Sequence, residues 1–174
     1  GIFSLVDRVL NKPLGIVGRA VSINFRSRAA ADYRDRGSCR AILLKTLTLL
    51  ICISAFPFLA LLIYAPYLFE IFFGEEWIVA GEFAQYLVPM FFMQFITSPL
   101  SFVLNIANKQ EIDLYLHLVM AILLTFCFLL GWYLQNNLEL SLQLYSSVYS
   151  LIYAIYLGFY IKYSVNIGFE DGAG

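Results

Sequence analysis

Four long runs without any charged residue constrain this chain more than any other feature of its sequence. They cover residues 46–69, 83–108, 114–138 and 140–161. A helix of about 20 mostly apolar residues is long enough to cross the roughly 30 Å hydrocarbon core of a bilayer. The four runs therefore predict four transmembrane helices.

The composition agrees with lipid as the main solvent of the chain. Only 13% of the residues are charged and 61% are hydrophobic, whereas about 25% of the residues of a soluble domain are charged. Intrinsic disorder is excluded because it requires low hydrophobicity and high net charge, and here the mean hydropathy is +0.78 and the formal net charge is −1. We predict an all-α integral membrane bundle.

A fifth candidate span, residues 9–25, is interrupted by Lys12, Pro13 and Arg19. We predict a broken fifth crossing here, followed by a basic cytoplasmic loop over residues 26–45. The remaining connections are short, so neighbouring helices should be antiparallel and packed side by side. The chain is then one membrane domain of about five helices over residues 1–174, with a loose polar tail at 168–174. Because it begins with Gly rather than Met, we expect a fragment whose beginning is missing.

The charges are distributed unevenly along the chain. Residues 1–45 contain nine Lys and Arg against three acids, and residues 46–174 contain two against nine. In a soluble protein such a basic block would suggest nucleic acid, but beside apolar spans it indicates a cytoplasmic face. With five crossings, the basic loop shares this face with Lys109 and Lys162, while Glu70, Glu75 and Glu76 lie opposite. We therefore predict a multi-pass membrane protein with no nucleic-acid partner.

Arg19 is the most informative single residue. An Arg at the centre of a span costs roughly 2.5–3.5 kcal/mol, and such residues normally face a polar cavity. Lys12 and Arg26 lie seven residues to either side, near the same helix face. This cationic stripe would suit an anion such as a diphosphate, since Arg can bond two phosphate oxygens at once. The alternative is an interfacial amphipathic helix whose cations reach the lipid headgroups.

Tyrosines recur at helical spacing in the last run and should lie on one face. The series is Tyr145, Tyr149, Tyr153, Tyr156, Tyr160 and Tyr163. Tyr153 and Tyr156 fall at mid-span, where a hydroxyl needs a hydrogen-bond partner. They either pack against a partner helix or line a wet cavity that accommodates sugar. His117 is expected to be a hydrogen-bonded packing residue, with a ligand or proton carrier as the alternative.

No constellation typical of catalysis is present in the sequence. Glu75 and Glu76 are adjacent and diverge on a helix, so they are expected to favour a helix start before Trp77 rather than to act as a catalytic pair. The three cysteines have no metal-binding spacing. We predict no catalytic residues, no metal and no cofactor, and hence no enzyme.

Several short motifs of the chain resemble one family. They comprise residues 68–77 (LFEIFFGEEW), Ala80, Gly81, Pro89, residues 94–96 (QFI), residues 98–101 (SPLS) and Asn105, with Arg8, Val9, Leu10, Pro13, Ala20 and Val21 upstream. They resemble bacterial polysaccharide flippases, the O-antigen and exopolysaccharide exporters of the multidrug/oligosaccharidyl-lipid/polysaccharide superfamily. In that family an outward loop carries an FGxxW turn, and the next helix often ends in a Ser-Pro pair.

The resemblance implies part of the second lobe of a two-lobe transporter, with the missing N-terminal lobe of the same protein as its partner. It further implies alternating access for a polyprenyl-diphosphate-linked oligosaccharide across the bacterial inner membrane, among membrane lipids. Cationic residues of a central cavity would hold the diphosphate, and Arg19 fits that position, with Lys12, Arg26, Tyr153 and Tyr156 as further candidates.

Three alternatives remain open. A cation-coupled exporter of the multidrug and toxin extrusion type should show an acid at mid-span. An integral-membrane enzyme should show a polar catalytic cluster at one interface. A non-catalytic membrane subunit should begin with Met.

Overall fold

The computed structural model describes residues 2–135 and 138–165, and its regular elements in these ranges are all helical. The 168–174 tail of the sequence prediction lies outside the described residues. The α-helices are α1 (Ile2–Arg36), α2 (Arg40–Phe73), α3 (Ile78–Thr97), α4 (Phe102–Ile106), α5 (Gln110–Gln135) and α6 (Leu138–Tyr163). Two 3-10 turns, Glu75–Trp77 and Ser98–Leu100, precede α3 and α4.

The predicted all-α membrane bundle is confirmed. Among the described residues, four helical segments are long and apolar enough to cross a membrane: Arg40–Phe73, Glu75–Ile106, Gln110–Cys127 and Glu139–Tyr163. They correspond to the four uncharged runs. α2 begins six residues before the second predicted span, at Arg40, because a helix that satisfies its own backbone hydrogen bonds can continue through the interface to charged residues.

The first helix differs from the prediction. α1 is continuous from Ile2 to Arg36, so the predicted break near Pro13 is absent and most of the predicted 26–45 loop is helical. Its 35 residues correspond to a length of about 52 Å. Packing explains the extension, because Phe25, the last residue of the predicted span, and Ala29 beyond it are both buried. α1 is not among the four segments that are apolar enough to span.

A three-residue turn at 37–39 joins α1 to α2 and is tied to the end of α6. The Cys39 amide donates to the carbonyl oxygen of Ser164 at 2.8 Å, and Ser38 pairs with Val165 in an isolated antiparallel bridge. Gly37 has a φ of 66°, a conformation that glycine adopts without steric cost. Arg36, Arg40 and Lys162 therefore lie at the same end of the bundle.

The two ends of the bundle carry opposite charge. Leu104, five residues before Lys109, belongs to the buried cluster that also contains Cys39 and Tyr160, so Lys109 lies at the basic end too. Glu75 and Glu76 occupy the first turn after α2, 34 helical residues away. Arg34, Arg36, Arg40, Lys109 and Lys162 thus share one end, which also holds the acids Asp32, Asp35 and Glu111.

α1 runs along the bundle rather than across its end. Leu14 and Val21 pack against the buried cluster formed by α2, α3 and α6, whereas Phe25 and Ala29 belong to the cluster that includes Val103 of α4. Residues 14–29 of α1 therefore extend for about 22 Å alongside α3 and α4, in the direction from α3 to α4. This arrangement makes α1 a lateral member of the bundle.

α2 and α3 are in close backbone contact at Gly81. A Cβ atom on Gly81 would lie 2.4 Å from Cα of Pro66 and 2.7 Å from the carbonyl oxygen of Ala65. Both are backbone atoms, which cannot move aside as a flexible side chain could. Only glycine fits at this crossing.

Candidate functional site

The candidate site is a cavity of about 300 Å³ between α1 and the junction of α3 with α4. Its walls combine a cationic helix face with a polar turn. The lining residues are Leu14, Gly15, Gly18, Arg19, Ser22, Arg26, Phe91, Gln94, Phe95, Ser98, Pro99 and Ser101.

Arg19 and Arg26 line the cavity together. They are seven residues apart on one continuous helix, so they share a face and their Cα atoms are separated by about 10.5 Å along the axis. Nε of Arg26 donates to the hydroxyl of Ser22 at 3.2 Å, and its guanidinium lies 5.2 Å from the ring centroid of Phe102. Arg26 is therefore held against the wall by contacts that leave its charge uncompensated.

Arg19 lies far from the basic end of the bundle. Seventeen residues separate it from Arg36, the last residue of α1, which corresponds to about 25 Å along the helix. Among the described side chains, no carboxylate forms an ion pair with Arg19. A bilayer core is roughly 30 Å thick, so Arg19 would lie within it if the basic end of the bundle lies at one interface.

The opposite wall supplies neutral polar groups. Ser98 and Ser101 bracket the 3-10 turn, and Gln94 lies one helical turn before it. Pro99, which has no amide hydrogen, interrupts the regular α-helical bonding at this point. The residues given above as lining the cavity include no Asp or Glu. Two cations with hydroxyl and amide donors and no acid form an environment that favours an anion.

Two glycines keep the α1 wall of the cavity open. Gly15 and Gly18 both line it, and a Cβ atom on Gly18 would lie 3.7 Å from Cγ of Pro99. Any longer side chain at these positions would occupy the space beside Arg19. The small residues are therefore part of what creates the cavity.

The structure brings together only part of the predicted site. Arg19 and Arg26 line one cavity, as the stripe predicted. Lys12 is exposed, lies about 10.5 Å further along α1 and does not line it. Tyr153 and Tyr156 do not line it either; they belong to α6.

The tyrosines of α6 form a continuous ladder of rings. The centroid distances are 5.9 Å for Tyr145–Tyr149, 4.7 Å for Tyr149–Tyr153, 5.6 Å for Tyr153–Tyr156 and 5.9 Å for Tyr156–Tyr160. The common face is confirmed for these five residues, whereas Tyr163 stacks on Phe159 instead.

The tyrosine hydroxyls at mid-span find partners within the protein. The Tyr149 hydroxyl donates to that of Tyr153 at 3.1 Å, and the Tyr156 hydroxyl lies 2.7 Å from Nδ1 of His117 on α5. Of the two alternatives for Tyr156, these contacts support packing against a partner helix. His117 is hydrogen-bonded and meets Tyr156 edge to face, as predicted, but its side chain is 54% exposed.

Gln94, Ser98 and Ser101 were not predicted as site residues. In the sequence they belong only to the motifs that resemble the flippase family. Their position in the cavity depends on the packing of α1 against α3. Their polar side chains within a long apolar run were the available signal, because uncompensated polar groups are unfavourable in lipid. In the part of the chain that the structure describes, no three His, Cys, Asp or Glu side chains form a group that could hold a metal ion.

Comparisons of the chain with protein-family models, with curated proteins and with solved structures found no match. The geometry and chemistry of the cavity therefore carry the functional argument.

Proposed function

We propose that this chain is part of a flippase that moves polyprenyl-diphosphate-linked oligosaccharides across the bacterial inner membrane by alternating access. The product would serve the synthesis of cell-surface polysaccharide, such as O-antigen or exopolysaccharide. The observation that carries the proposal is the cavity that Arg19 and Arg26 line together with Ser22, Ser98 and Ser101, with no Asp or Glu among its described lining residues.

The chemistry of the cavity matches a diphosphate. Each guanidinium presents several N–H donors in a planar fork that can bond two phosphate oxygens. Hydroxyl groups can donate to the remaining oxygens. Arg19 and Arg26 are exposed at the cavity, and where protein and lipid rather than bulk water surround such a site, opposite charges attract each other more strongly than at an aqueous surface.

The surroundings of Arg19 suit a lipid-linked anion better than a free one. Ile16 and Ile23 flank Arg19 on α1 and are each 70% exposed. They form an apolar strip next to the cavity mouth. A polyprenyl chain could follow this strip while its diphosphate occupies the cavity.

The position of α1 argues against the interfacial alternative. An amphipathic helix at the interface would lie across the end of the bundle, with its cations at headgroup depth. Instead, α1 packs alongside both buried clusters. Movement of the cargo would require rearrangement of the helices, and Pro57, Pro66 and Pro89 inside α2 and α3 provide points where helices bend.

A cation-coupled drug exporter is less well supported. Such an exporter is expected to have an acid at mid-span and fewer cavity cations, whereas the described residues that line this cavity include two arginines and no Asp or Glu. The cationic cavity likewise does not favour a non-catalytic subunit, which would not require an anion site. The predicted absence of enzymatic activity stays a prediction.

Reconstitution of the full-length protein in liposomes would test the proposal. A polyprenyl-diphosphate-linked oligosaccharide with a labelled sugar is placed in both leaflets. A membrane-impermeant glycosidase added outside then measures the accessible fraction, which is the share of the labelled glycan that it can cleave. We expect the accessible fraction to rise well above the half found in protein-free liposomes, as cargo from the inner leaflet reaches the outside. An accessible fraction that stays at half, together with transport of a cationic dye, would refute the proposal in favour of a drug exporter.

A further inference from the structure

We infer that a second cavity, between α1 and α2, binds an anionic phospholipid whose phosphate lies between Arg28 and Lys45. The cavity has a volume of about 730 Å³. Its lining residues are Val21, Asn24, Phe25, Arg28, Ile42, Lys45, Thr46, Thr48, Leu49 and Cys52. The inference does not depend on the proposed transport function.

This cavity is distinct from the one at Arg19. Arg28 follows Arg19 by nine residues, which is two and a half turns of α-helix, so the two side chains leave α1 on opposite sides. The two sets of lining residues have no member in common. α1 therefore has one cationic cavity on its α3 side and another on its α2 side.

The charge of the second cavity is not balanced by an acid. Its lining residues include Arg28 and Lys45 and no Asp or Glu. Among the described side chains, neither cation forms an ion pair. Asp32 lies one turn beyond Arg28 and is not among the residues that line the cavity. The hydroxyls of Thr46 and Thr48 donate to carbonyl oxygens one turn earlier in α2, which leaves the two cations as the groups that attract an anion.

The depth of the cations is that of lipid headgroups. Lys45 lies five residues after the start of α2 and Arg28 eight residues before the end of α1. These positions correspond to about 7.5 Å and 12 Å from the turn at 37–39, and long basic side chains extend further toward the interface. Basic pockets between transmembrane helices near the cytoplasmic side are typical sites for anionic headgroups.

An exposed apolar strip on α2 continues from the cavity and favours a lipid, rather than a soluble anion, as the ligand. Leu49 and Cys52 line the cavity, and the same helix face continues with Phe56, Leu59 and Ile63, which are 82%, 56% and 60% exposed. From Leu49 to Ile63 the strip is about 21 Å long. That is more than half the thickness of the hydrocarbon core, so one acyl chain can lie along it. A water-soluble phosphate would make no use of this strip.

Native mass spectrometry of the purified full-length protein tests the inference. Detergent micelles are supplied with equal amounts of phosphatidylglycerol and phosphatidylcholine, and the lipid that remains bound is counted. We expect the parent protein to retain phosphatidylglycerol preferentially. The double variant Arg28→Gln/Lys45→Gln should bind it about 30-fold more weakly, because each cation near the surface contributes about one kcal/mol toward an anionic lipid.

The matched control is Arg34→Gln/Arg36→Gln. It removes the same charge from exposed positions near the same end of the bundle, outside the cavity, and should keep phosphatidylglycerol within about twofold of the parent. Equal losses in the two double variants would overturn the inference, because the lipid would then respond only to net charge. Retention by Arg28→Gln/Lys45→Gln would overturn it as well.

Two further arms distinguish the source of the phosphate. Phe56→Ser leaves both cations in place and should still weaken the binding of phosphatidylglycerol, because it shortens the apolar strip. In the second arm, millimolar inorganic phosphate is added alone. Displacement of the lipid by this phosphate would show a simple anion site and contradict the inference. If Arg28→Gln/Lys45→Gln does not fold, the charge-conserving pair Arg28→Lys/Lys45→Arg replaces it. That pair should bind like the parent, and loss of binding would contradict the role of charge.

Discussion

The hydroxyl of Tyr156 on α6 lies 2.7 Å from Nδ1 of His117 on α5. The two rings meet edge to face, with centroids 5.3 Å apart and an interplanar angle of 67°. Nδ1 of His117 also lies 2.8 Å from the carbonyl oxygen of Asp113. Tyr156 is 2% exposed, so its ring fills the space between the helices while its hydroxyl joins them. Ring packing and a single polar contact thus stabilise the pair α5–α6.

This relationship predicts that the ring of Tyr156 matters more than its hydroxyl. Tyr156→Phe removes one interhelical hydrogen bond, which contributes about 0.6 kcal/mol on average in a membrane protein. Tyr156→Ala also removes the buried ring, a change that costs about 3–5 kcal/mol for large aromatic residues. Thermal unfolding of the purified protein and its abundance in membranes should therefore change little with Phe and greatly with Ala.

Tyr115→Ala is the matched control, because Tyr115 lies on α5 and is 67% exposed. It should be close to neutral. Tyr153→Phe should be tolerated for the same reason as Tyr156→Phe. If either Phe variant abolished glycan export at normal abundance, the hydroxyl would have a role in transport and the sugar-cavity alternative would gain support.

Gly81 predicts a sharp steric limit between α2 and α3. Gly81→Ala would place a Cβ atom 2.4 Å from the backbone of Pro66, so the helices must separate. We expect a loss of at least about 1–3 kcal/mol, the usual range for overpacking, measured as a lower unfolding temperature. Gly158→Ala is the control, since a Cβ there meets no atom within 4 Å. Equal stability of the two variants would mean that the α2–α3 crossing is wider than described.

The separation of charge between the two ends predicts the orientation in the membrane. Arg34→Cys should face the cytoplasm and Glu76→Cys the opposite side, because basic segments remain inside. A membrane-impermeant maleimide added to intact cells should label Glu76→Cys and leave Arg34→Cys unlabelled until the cells are opened. Labelling of Arg34→Cys but not of Glu76→Cys in intact cells would contradict this orientation.

The background for this experiment needs only two replacements. Cys52 and Cys127 are changed to Ser because they are exposed and half-buried, respectively. Cys39 can remain, since it is buried and desolvation raises the pKa of its thiol to about 11. Very little of the reactive thiolate is present at neutral pH.

The helices that cross the membrane could be predicted from the sequence because their signal is local. An uncharged run of 20 or more residues has few alternatives to a transmembrane helix. The prediction for α1 was wrong because the contacts that extend this helix are distant in the sequence. Lys12, Pro13 and Arg19 suggest an interruption, but the helix continues to Arg36 because Phe25 and Ala29 pack against residues more than 70 positions away, such as Leu100 and Val103.

The site could be predicted only in part for the same physical reason. Arg19 and Arg26 stand out because charge at depth is costly, and their common face follows from helical periodicity. That Ser98 and Ser101 lie opposite depends on which helices are neighbours. The tyrosine periodicity was predicted correctly, yet the sequence did not show that α5, rather than the cavity, faces Tyr156.

The central claim is that the charge of Arg19 holds the diphosphate of the cargo. In the full-length protein we expect Arg19→Lys to keep partial export, since Lys retains the charge without the two-pronged geometry. Arg19→Gln should lose export. Arg34→Gln, which removes a cation that is 80% exposed and paired with Asp35, should export like the parent.

The most direct measurement is the amount of lipid-linked glycan exported per molecule of protein in the membrane, compared for the parent, Arg19→Lys, Arg19→Gln and Arg34→Gln. We expect full export for the parent and Arg34→Gln, partial export for Arg19→Lys and none for Arg19→Gln, all at similar protein levels. Export by Arg19→Gln equal to that of the parent would contradict the central claim.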